Sequence, residues 1–381
     1  MKKLLTVLLT FFMVFALVGC SSSKDSGTDE GDSTTDTTDT SEGYKVAVVT
    51  DVGQLNDGGF NQGTYEGAVA FAEANGLSYK YYQPANGSDA TDDDRIAAMR
   101  QAVEGGAEVV VTPGYLQATA LQTVAEENPD VKFVFVDGWN LGLSNVTAIS
   151  YHEEESGFFA GYAAVKDGYT NLGGTFGGAG TNAACNRFAY GYVQGIEAAA
   201  AELGTTVDAT ISFLYGGSFS SSTELQTQIS GWYNNGVQVV FSCGGSMLQS
   251  VKAAAAETAD GKIIGVDVDQ ASESDRVITS AVKGLSESVQ LVLAEWNNGE
   301  WDSKLADKLS NLGVSDNATG IPTADNSWRF STFTVEEYEA IKAKVASGEI
   351  TISSDCADLS TADGWAALQA ECTHVNLNLE Y

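Results

Sequence analysis

The side chains that could do chemistry stand just past short apolar runs. Thr50-Asp51 closes the first such run and leads through Gly58-Gly59 into Phe60-Asn61. Asp137-Gly138-Trp139 closes the fourth. Farther on come Gly177–Gly180, Gly217-Ser218-Phe219, Cys243-Gly244-Gly245 and Asp267-Val268-Asp269-Gln270. Carboxylates and aromatics dominate this set, and cations are scarce. A carboxylate accepts from two hydroxyls, and an aromatic covers a ring face. The set therefore suits a neutral, polyhydroxylated ligand with one flat side. Asp51, Phe60, Asn61, Asp137, Trp139, Phe219, Gly244 and Asp267 are its candidate contacts. Most also have a structural alternative: Asp51 as a cap, Phe60 as a core anchor, Trp139 as packing at a hinge, Asp267 and Asp269 as turn residues.

Several other chemistries are excluded. Gly177–Gly180 is followed by no Gly-Lys-Ser/Thr, so a phosphate loop is not supported. The two histidines, His152 and His374, are far apart, and no CxxC, HxxxH or HExxH spacing occurs. A metal site is therefore not expected, nor any cofactor. No Ser-His-Asp set or base-orienter pair suggests an enzyme. A formal charge of −32 argues against nucleic-acid polymers, whose binding needs Lys and Arg. Cys185, Cys243, Cys356 and Cys372 could form two disulfides in an oxidising compartment. Cys356 and Cys372 would close a short C-terminal loop worth about 3 kcal/mol. Cys185 and Cys243 are the second possible pair, or buried free thiols.

The elements that must position these residues alternate. Strand-like runs at Lys45–Thr50, Ser78–Tyr82, Glu108–Thr112 and Lys132–Asp137 enclose helical patterns at Phe60–Asn75, Asp93–Glu104 and Leu116–Asn128. Thr64, Ala68, Phe71 and Ala72 share one helical face. The theme repeats with strands Asn171–Phe176, Thr206–Phe213, Val237–Phe241 and Lys262–Asp267. The fold class is α/β, with two doubly wound Rossmann-like lobes joined by a multi-strand hinge. Residues 44–150 and 275–310 are assigned to lobe 1. Residues 151–274 and 311–350 are assigned to lobe 2, and 351–381 to a C-terminal extension. Ligands in such sheets bind beyond the carboxyl ends of the strands, where the candidate contacts stand.

The N-terminus carries an address. Lys2-Lys3 precedes an apolar run from Leu4 to Val18 that ends in Gly19-Cys20. Basic, then apolar, then small residues is the order of a secretory signal, and the run is short for a span of about 20 residues. Leu17-Val18-Gly19-Cys20 resembles a bacterial lipobox. Residues 1–19 are thus expected to be a lipoprotein signal and Cys20 the lipidated first mature residue, each buried CH2 contributing about 0.8 kcal/mol of anchoring. Residues 20–43 are Ser, Thr, Asp, Glu and Gly almost throughout. They cannot bury enough apolar surface to fold, and as a flexible tether would span roughly 25 Å. The expected location is the extracytoplasmic face of the cell membrane.

Several motifs, taken in order, match a known pattern. Thr50-Asp51 and Asn56-Asp57-Gly58-Gly59-Phe60-Asn61-Gln62 align with a strand, Thr-Asp and Asp-Asp-Lys-Ser-Phe-Asn-Gln. Asn145-Val146, Glu153–Tyr162, Gly265–Gln270 and Thr279–Lys283 follow in register. Through these the chain resembles the basic membrane protein family of bacterial lipoproteins, the purine-nucleoside-receptor-type substrate-binding proteins of ABC transporters. The resemblance implies a type I periplasmic-binding-protein fold, a nucleoside (a purine one) as ligand, ABC permease subunits as partners, and a monomer. It implies that an aromatic from each lobe sandwiches the base while carboxylates and a lysine hold the ribose or base edge. The matching positions are Asp51, Phe60, Asn61, Asp137, Phe219, Gly244, Asp267 and Lys283. Asn56, Gly58-Gly59 and Ser246-Met247-Leu248 depart from the pattern, and the flanks of Phe219 lack the usual Asp. A same-fold binder of a sugar or other small polar molecule, or a ligand sensor for a membrane partner, are the alternatives.

Overall fold

Val46-Ala47-Val48-Val49 and Val109-Val110-Val111 are apolar on both faces, and such strands must be covered on both. That requirement builds the molecule. The structure, a computed structural model, describes residues 43–52, 55–356 and 358–380, all within one compact unit. The expected leader, Cys20 and nearly all of the linker lie outside the described residues.

The chain begins β1 (Val46–Val49), α1 (Phe60–Ala74), β2 (Tyr79–Tyr82), α2 (Asp92–Glu104), β3 (Val109–Pro113), α3 (Ala118–Glu127), β4 (Lys132–Val136) and β5 (Val146–Tyr151). It continues with α4 (Glu153–Lys166), β6 (Asn171–Phe176), α5 (Ala183–Leu203), β7 (Val207–Ser212), α6 (Thr223–Asn234), β8 (Val239–Cys243), α7 (Met247–Ala256), β9 (Lys262–Asp267) and β10 (Val277–Lys283). Last come α8 (Leu285–Asn297), β11 (Lys308–Leu312), β12 (Thr319–Gly320), α9 (Val335–Ala346), α10 (Ala362–Glu371) and β13 (Val375–Glu380).

The first sheet has the order β11-β5-β4-β3-β1-β2 and is parallel throughout. The second has the order β12-β10-β9-β8-β6-β7-β13, and within it only β12 runs antiparallel. Both sheets reverse their winding at one point, between β1 and β3 in the first lobe and between β6 and β8 in the second. A doubly wound sheet binds ligand outside the strand ends at such a switch point.

Three segments cross between lobes, at His152, at Gly284 and between β11 and β12. They are laced together. His152 N donates to Leu312 O at 2.9 Å, Gly284 N to Ala318 O at 2.7 Å, and Val314 N to the Glu155 carboxylate at 2.7 Å. After the second crossing, α8 returns to lobe 1, where Leu285, Val289 and Leu293 share a core with Ala68 and Phe71. In lobe 2, α4 and α5 approach so closely that a Cβ on Gly157 would lie 2.2 Å from Phe188 O, and one on Gly191 2.0 Å from Glu154 O. That approach sets Glu153 against Arg187, 2.6 Å apart.

The two doubly wound lobes and most expected elements are present. Thr64, Ala68, Phe71 and Ala72 form the buried face of α1. Two assignments differ. Val277–Lys283 was expected in lobe 1 but pairs with β9 in the second sheet; an apolar run does not say which of two sheets it joins. The expected C-terminal extension is part of lobe 2: β13 pairs with β7, and Leu359 and Trp365 are buried in its core.

Candidate functional site

A cleft of about 680 Å³ opens where the two switch points face each other. Lobe 1 supplies Asp51, Asp57, Phe60, Asn61, Tyr115 and Asp137 to its lining. Lobe 2 supplies Cys185, Phe219, Cys243, Gly244, Asp267 and Lys283.

The floor is ionic. Lys283, the last residue of β10, is buried, with Nζ 2.5 Å from Asp137 Oδ2, 3.4 Å from Asp267 Oδ1 and 3.6 Å from Glu153 Oε1. Its charge also lies 4.7 Å from the Phe60 ring centroid and 5.5 Å from that of Tyr151. Burial pulls the Lys283 ammonium down, but Asp137, Asp267 and Glu153 outweigh it and hold the ammonium well above its ordinary range. Among the described residues that line the cleft, Lys283 is the single cation.

The acids around it are short of partners. Burial pushes the Asp137 carboxyl up to about 6 against the pull of Lys283, and raises Asp267 as well. Asp137 Oδ1 and Asn61 Oδ1 are buried and make no hydrogen bond among the described residues. A buried acceptor without a donor costs about 1–3 kcal/mol, so both are places where a ligand's N–H or O–H would stabilise the site.

Asp51 leaves β1 at the switch point. Its Oδ1 accepts from Val52 N at 2.7 Å, and its own carbonyl accepts from the buried Arg95 Nε at 3.1 Å. Burial lifts its carboxyl to about 6. Gly114, just past β3, makes room for it: a Cβ there would lie 2.0 Å from Asp51 Oδ2. Asp57 has a different task. It accepts from the amides of Gly59 (2.8 Å), Asn61 (3.0 Å) and Gln62 (3.2 Å), which anchors the start of α1 and so aims Phe60 and Asn61.

Phe219 forms the wall of lobe 2 with φ of +57°. A bulky residue in the left-handed region is a strained outlier, and such strain gathers at ligand sites. Two glycines make its seat. A Cβ on Gly177 would lie 2.4 Å from the Phe219 ring, and one on Gly244 3.2 Å from it. The first of the Gly177–Gly180 glycines thus clears an aromatic. Tyr115 of lobe 1 meets Phe219 edge-on, with centroids 6.4 Å apart. Gln270 Nε2 of lobe 2 donates to Gly58 O of lobe 1 at 2.8 Å.

The cleft thus gathers Asp51, Phe60, Asn61, Asp137, Phe219, Gly244, Asp267 and Lys283. Trp139 stands apart: it does not line the cleft, is 46% exposed, and packs on Phe135 with centroids 5.3 Å apart. Cys20 lies outside the described residues. Gly114 and Tyr115, just past β3, are not among the sequence candidates, although the end of β3 carries the same signal as the ends of β1 and β4. Nor are Glu153 and Arg187, which support the floor from below. All four remaining cysteines are free. Among the described residues no helix is long and apolar enough to cross a membrane.

Comparison with known proteins agrees with this architecture. Residues 44–355 match the model of the family described as ABC transporter substrate-binding protein PnrA-like. The chain is 30% identical over 332 residues to the ABC transporter nucleoside-binding protein BmpA of Lactococcus lactis subsp. cremoris, covering 80% of this chain and 89% of that one. It is 28% identical over 255 residues to basic membrane protein B of Borreliella burgdorferi, covering 65% and 70% of the two chains. Among solved structures, an ABC transporter solute-binding protein from Aeropyrum pernix K1 superposes with a TM-score of 0.69 at 22% identity, covering 86% of this chain and 97% of that one. That last likeness concerns the fold.

Proposed function

This chain belongs to the PnrA-like family of ABC transporter substrate-binding proteins, and we propose that its cleft captures a nucleoside, a purine one, for delivery to the importer. Proteins of this family are extracytoplasmic, bind small ligands and work with permease subunits; they are not enzymes. One observation carries the finer reading: Phe60 and Phe219, one from each lobe, line the same cleft as the Asp137, Asp267 and Lys283 cluster.

Each part of a nucleoside has a counterpart there. A base offers a flat π-face to aromatic walls, a contact worth about 1–3 kcal/mol per base. Ribose hydroxyls donate to Asp137 and Asp267 and accept from the Lys283 ammonium. A 5′-phosphate finds only Lys283, already matched by three carboxylates, so the free nucleoside is favoured over its nucleotide. Native mass spectrometry of the protein as purified tests this reading. A retained adduct with the mass of a nucleoside supports it, and a retained pentose or hexose contradicts it.

The tether belongs to the same proposal. Processing at Gly19-Cys20 with acylation of Cys20 holds the protein at the membrane while residues 21–43 let the lobes stand off it. The measurement is the mass of the N-terminal peptide. An acylated Cys20 is expected; an unmodified N-terminus downstream of Cys20 contradicts the anchor.

A further inference from the structure

Cys185 and Cys243 have no part in the nucleoside reading, yet both line the cleft. The topology brings them there. β6 and β8 are neighbours across the second switch point, with Phe176 opposite Cys243, and Gly177 N donates to Cys243 O at 2.8 Å. From Gly177 the chain turns straight into α5, whose N-cap Asn182 accepts from Cys185 N at 2.8 Å. One thiol therefore ends a strand and the other opens the helix that follows the adjacent strand. Burial, and after it the neighbouring Cys185 thiol, push the Cys243 thiol up. Cys185 is 7% exposed and Cys243 1%, so a reagent entering the cleft meets Cys185 first. Cys356 and Cys372 are outside the lining.

We propose that Cys185 and Cys243 form a redox-sensitive dithiol in the wall of the empty cleft, which closes to a disulfide on exchange with a small-molecule disulfide and thereby weakens ligand binding. The cleft opens to an extracytoplasmic space, where disulfides persist. In the first step the Cys185 sulfur, having released its proton, attacks the small disulfide RSSR. A Cys185–SR bond forms, the S–S bond of the reagent breaks, and one RSH leaves after taking up a proton. In the second step Cys243 gives up its proton and attacks Cys185 Sγ, expelling the second RSH. The protein loses two protons and two electrons, and RSSR takes them up to become two RSH. Exchange with excess thiol reverses both steps.

The effect on binding follows from what Cys243 carries. The next residues, Gly244 and Gly245, seat Phe219, and Ser246 N donates to Phe219 O at 3.0 Å. Drawing Cys243 toward α5 displaces this seat and with it the aromatic wall. The effect on affinity rests on the nucleoside reading, whereas formation of the bridge does not.

The test treats the reduced full chain, with its cleft emptied, with oxidised glutathione, alkylates the residual thiols and maps the peptides. The expected product is lighter by two hydrogens, carries a Cys185–Cys243 linked peptide, and has Cys356 and Cys372 alkylated. Cys243→Ser should stop at a glutathione adduct on Cys185. Titration with guanosine or inosine should show a several-fold weaker affinity after oxidation, restored by dithiothreitol, and no such change in the Cys185→Ser/Cys243→Ser double variant. Absence of the linked peptide, or a bridge that leaves affinity unchanged, overturns the proposal. If neither redox state binds a nucleoside, the nucleoside reading fails; the weakening is then measured with whatever ligand the purified protein retains, and the mapped bridge still decides the dithiol.

Discussion

Lys283 Nζ lies 2.5 Å from Asp137 Oδ2, and this contact joins the two lobes at the floor of the cleft. Lys283 ends β10 in the second sheet; Asp137 follows β4 in the first. Asp267 and Glu153 stand 3.4 and 3.6 Å from the same nitrogen. One ammonium thus meets three carboxylates, of which Glu153 is shared with Arg187. A ligand that donates to the acids and accepts from the lysine adds to this cluster instead of breaking it, and it bridges the lobes as it does so.

Removal of Lys283 leaves Asp137 and Asp267 without a counter-ion, while Glu153 keeps Arg187 at 2.6 Å. Breaking a buried pair by deleting one partner costs about 3–5 kcal/mol. Lys283→Met should therefore lower the melting temperature at neutral pH and abolish binding. The deficit should shrink in acid, as the stranded carboxyls protonate. Differential scanning calorimetry across pH checks this, and wild-type melting at neutral pH would falsify the balancing role of Lys283.

Burial lifts the carboxyls of Asp51 and Asp137 to about 6, from an ordinary value of 3.8. A folded-state pKa above the unfolded one means that the native chain holds a proton the unfolded chain has released. That stabilisation is full below about pH 4 and is lost as pH rises through about 6. The ligand-free protein should therefore gain stability between about pH 7 and about pH 5, while affinity falls as the accepting carboxylates protonate. For Asp51 alone the displacement corresponds to roughly 3 kcal/mol. Asp51→Asn should flatten the stability profile. A profile that coincides with wild type would remove Asp51 from the buried acids.

Loss of Phe60 and loss of the glycine that seats Phe219 should weaken binding by different routes. Phe60→Ala deletes a stacking face and should cost about 1–3 kcal/mol of binding. Gly177→Ala touches no ligand in the proposed pose, but its Cβ would fall 2.4 Å from the Phe219 ring and push that ring from its strained position. Weaker binding with the fold kept, read by titration and circular dichroism together, is the expected result for both. Unchanged affinity in Gly177→Ala would mean that the ligand does not use Phe219.

Trp139 supplies the control. It follows β4 only two residues after Asp137, yet it is 46% exposed and its ring packs on Phe135. Trp139→Ala should leave nucleoside affinity at the wild-type value. A loss comparable to that of Phe60→Ala would place Trp139 at the ligand and contradict the arrangement described above.

The contrast between Asp137 and Trp139 shows what the sequence could and could not reveal. Periodicity and apolar runs made both doubly wound lobes legible, and the rule that ligands bind past strand ends pointed to Asp51, Asp137 and Asp267. That rule names a neighbourhood of two or three residues, not the side chain that turns inward. The positive φ of Asp137 and Phe219 and the close approach that only Gly177 permits are tertiary facts. Lys283 was reached through family resemblance, since one lysine at the end of an apolar strand carries no signal of the acids around it. The sheet to which β10 belongs was misassigned because its two apolar faces fit either lobe. The last strand is legible in the sequence: Val375-Asn376-Leu377-Asn378-Leu379-Glu380 alternates apolar and polar residues, the pattern of a half-buried edge strand.

The central claim is that a nucleoside closes the two lobes on each other. The direct measurement is calorimetric titration of ligand-free protein with purine nucleosides, pyrimidine nucleosides and free pentoses, with small-angle scattering of each mixture. The expected result is saturable one-to-one binding of a purine nucleoside with a smaller radius of gyration, and weaker binding without compaction in Asp267→Ala, by about 1–3 kcal/mol. Saturable binding of a free sugar with no response to any nucleoside, or nucleoside binding and compaction unaltered in Asp267→Ala, would contradict it.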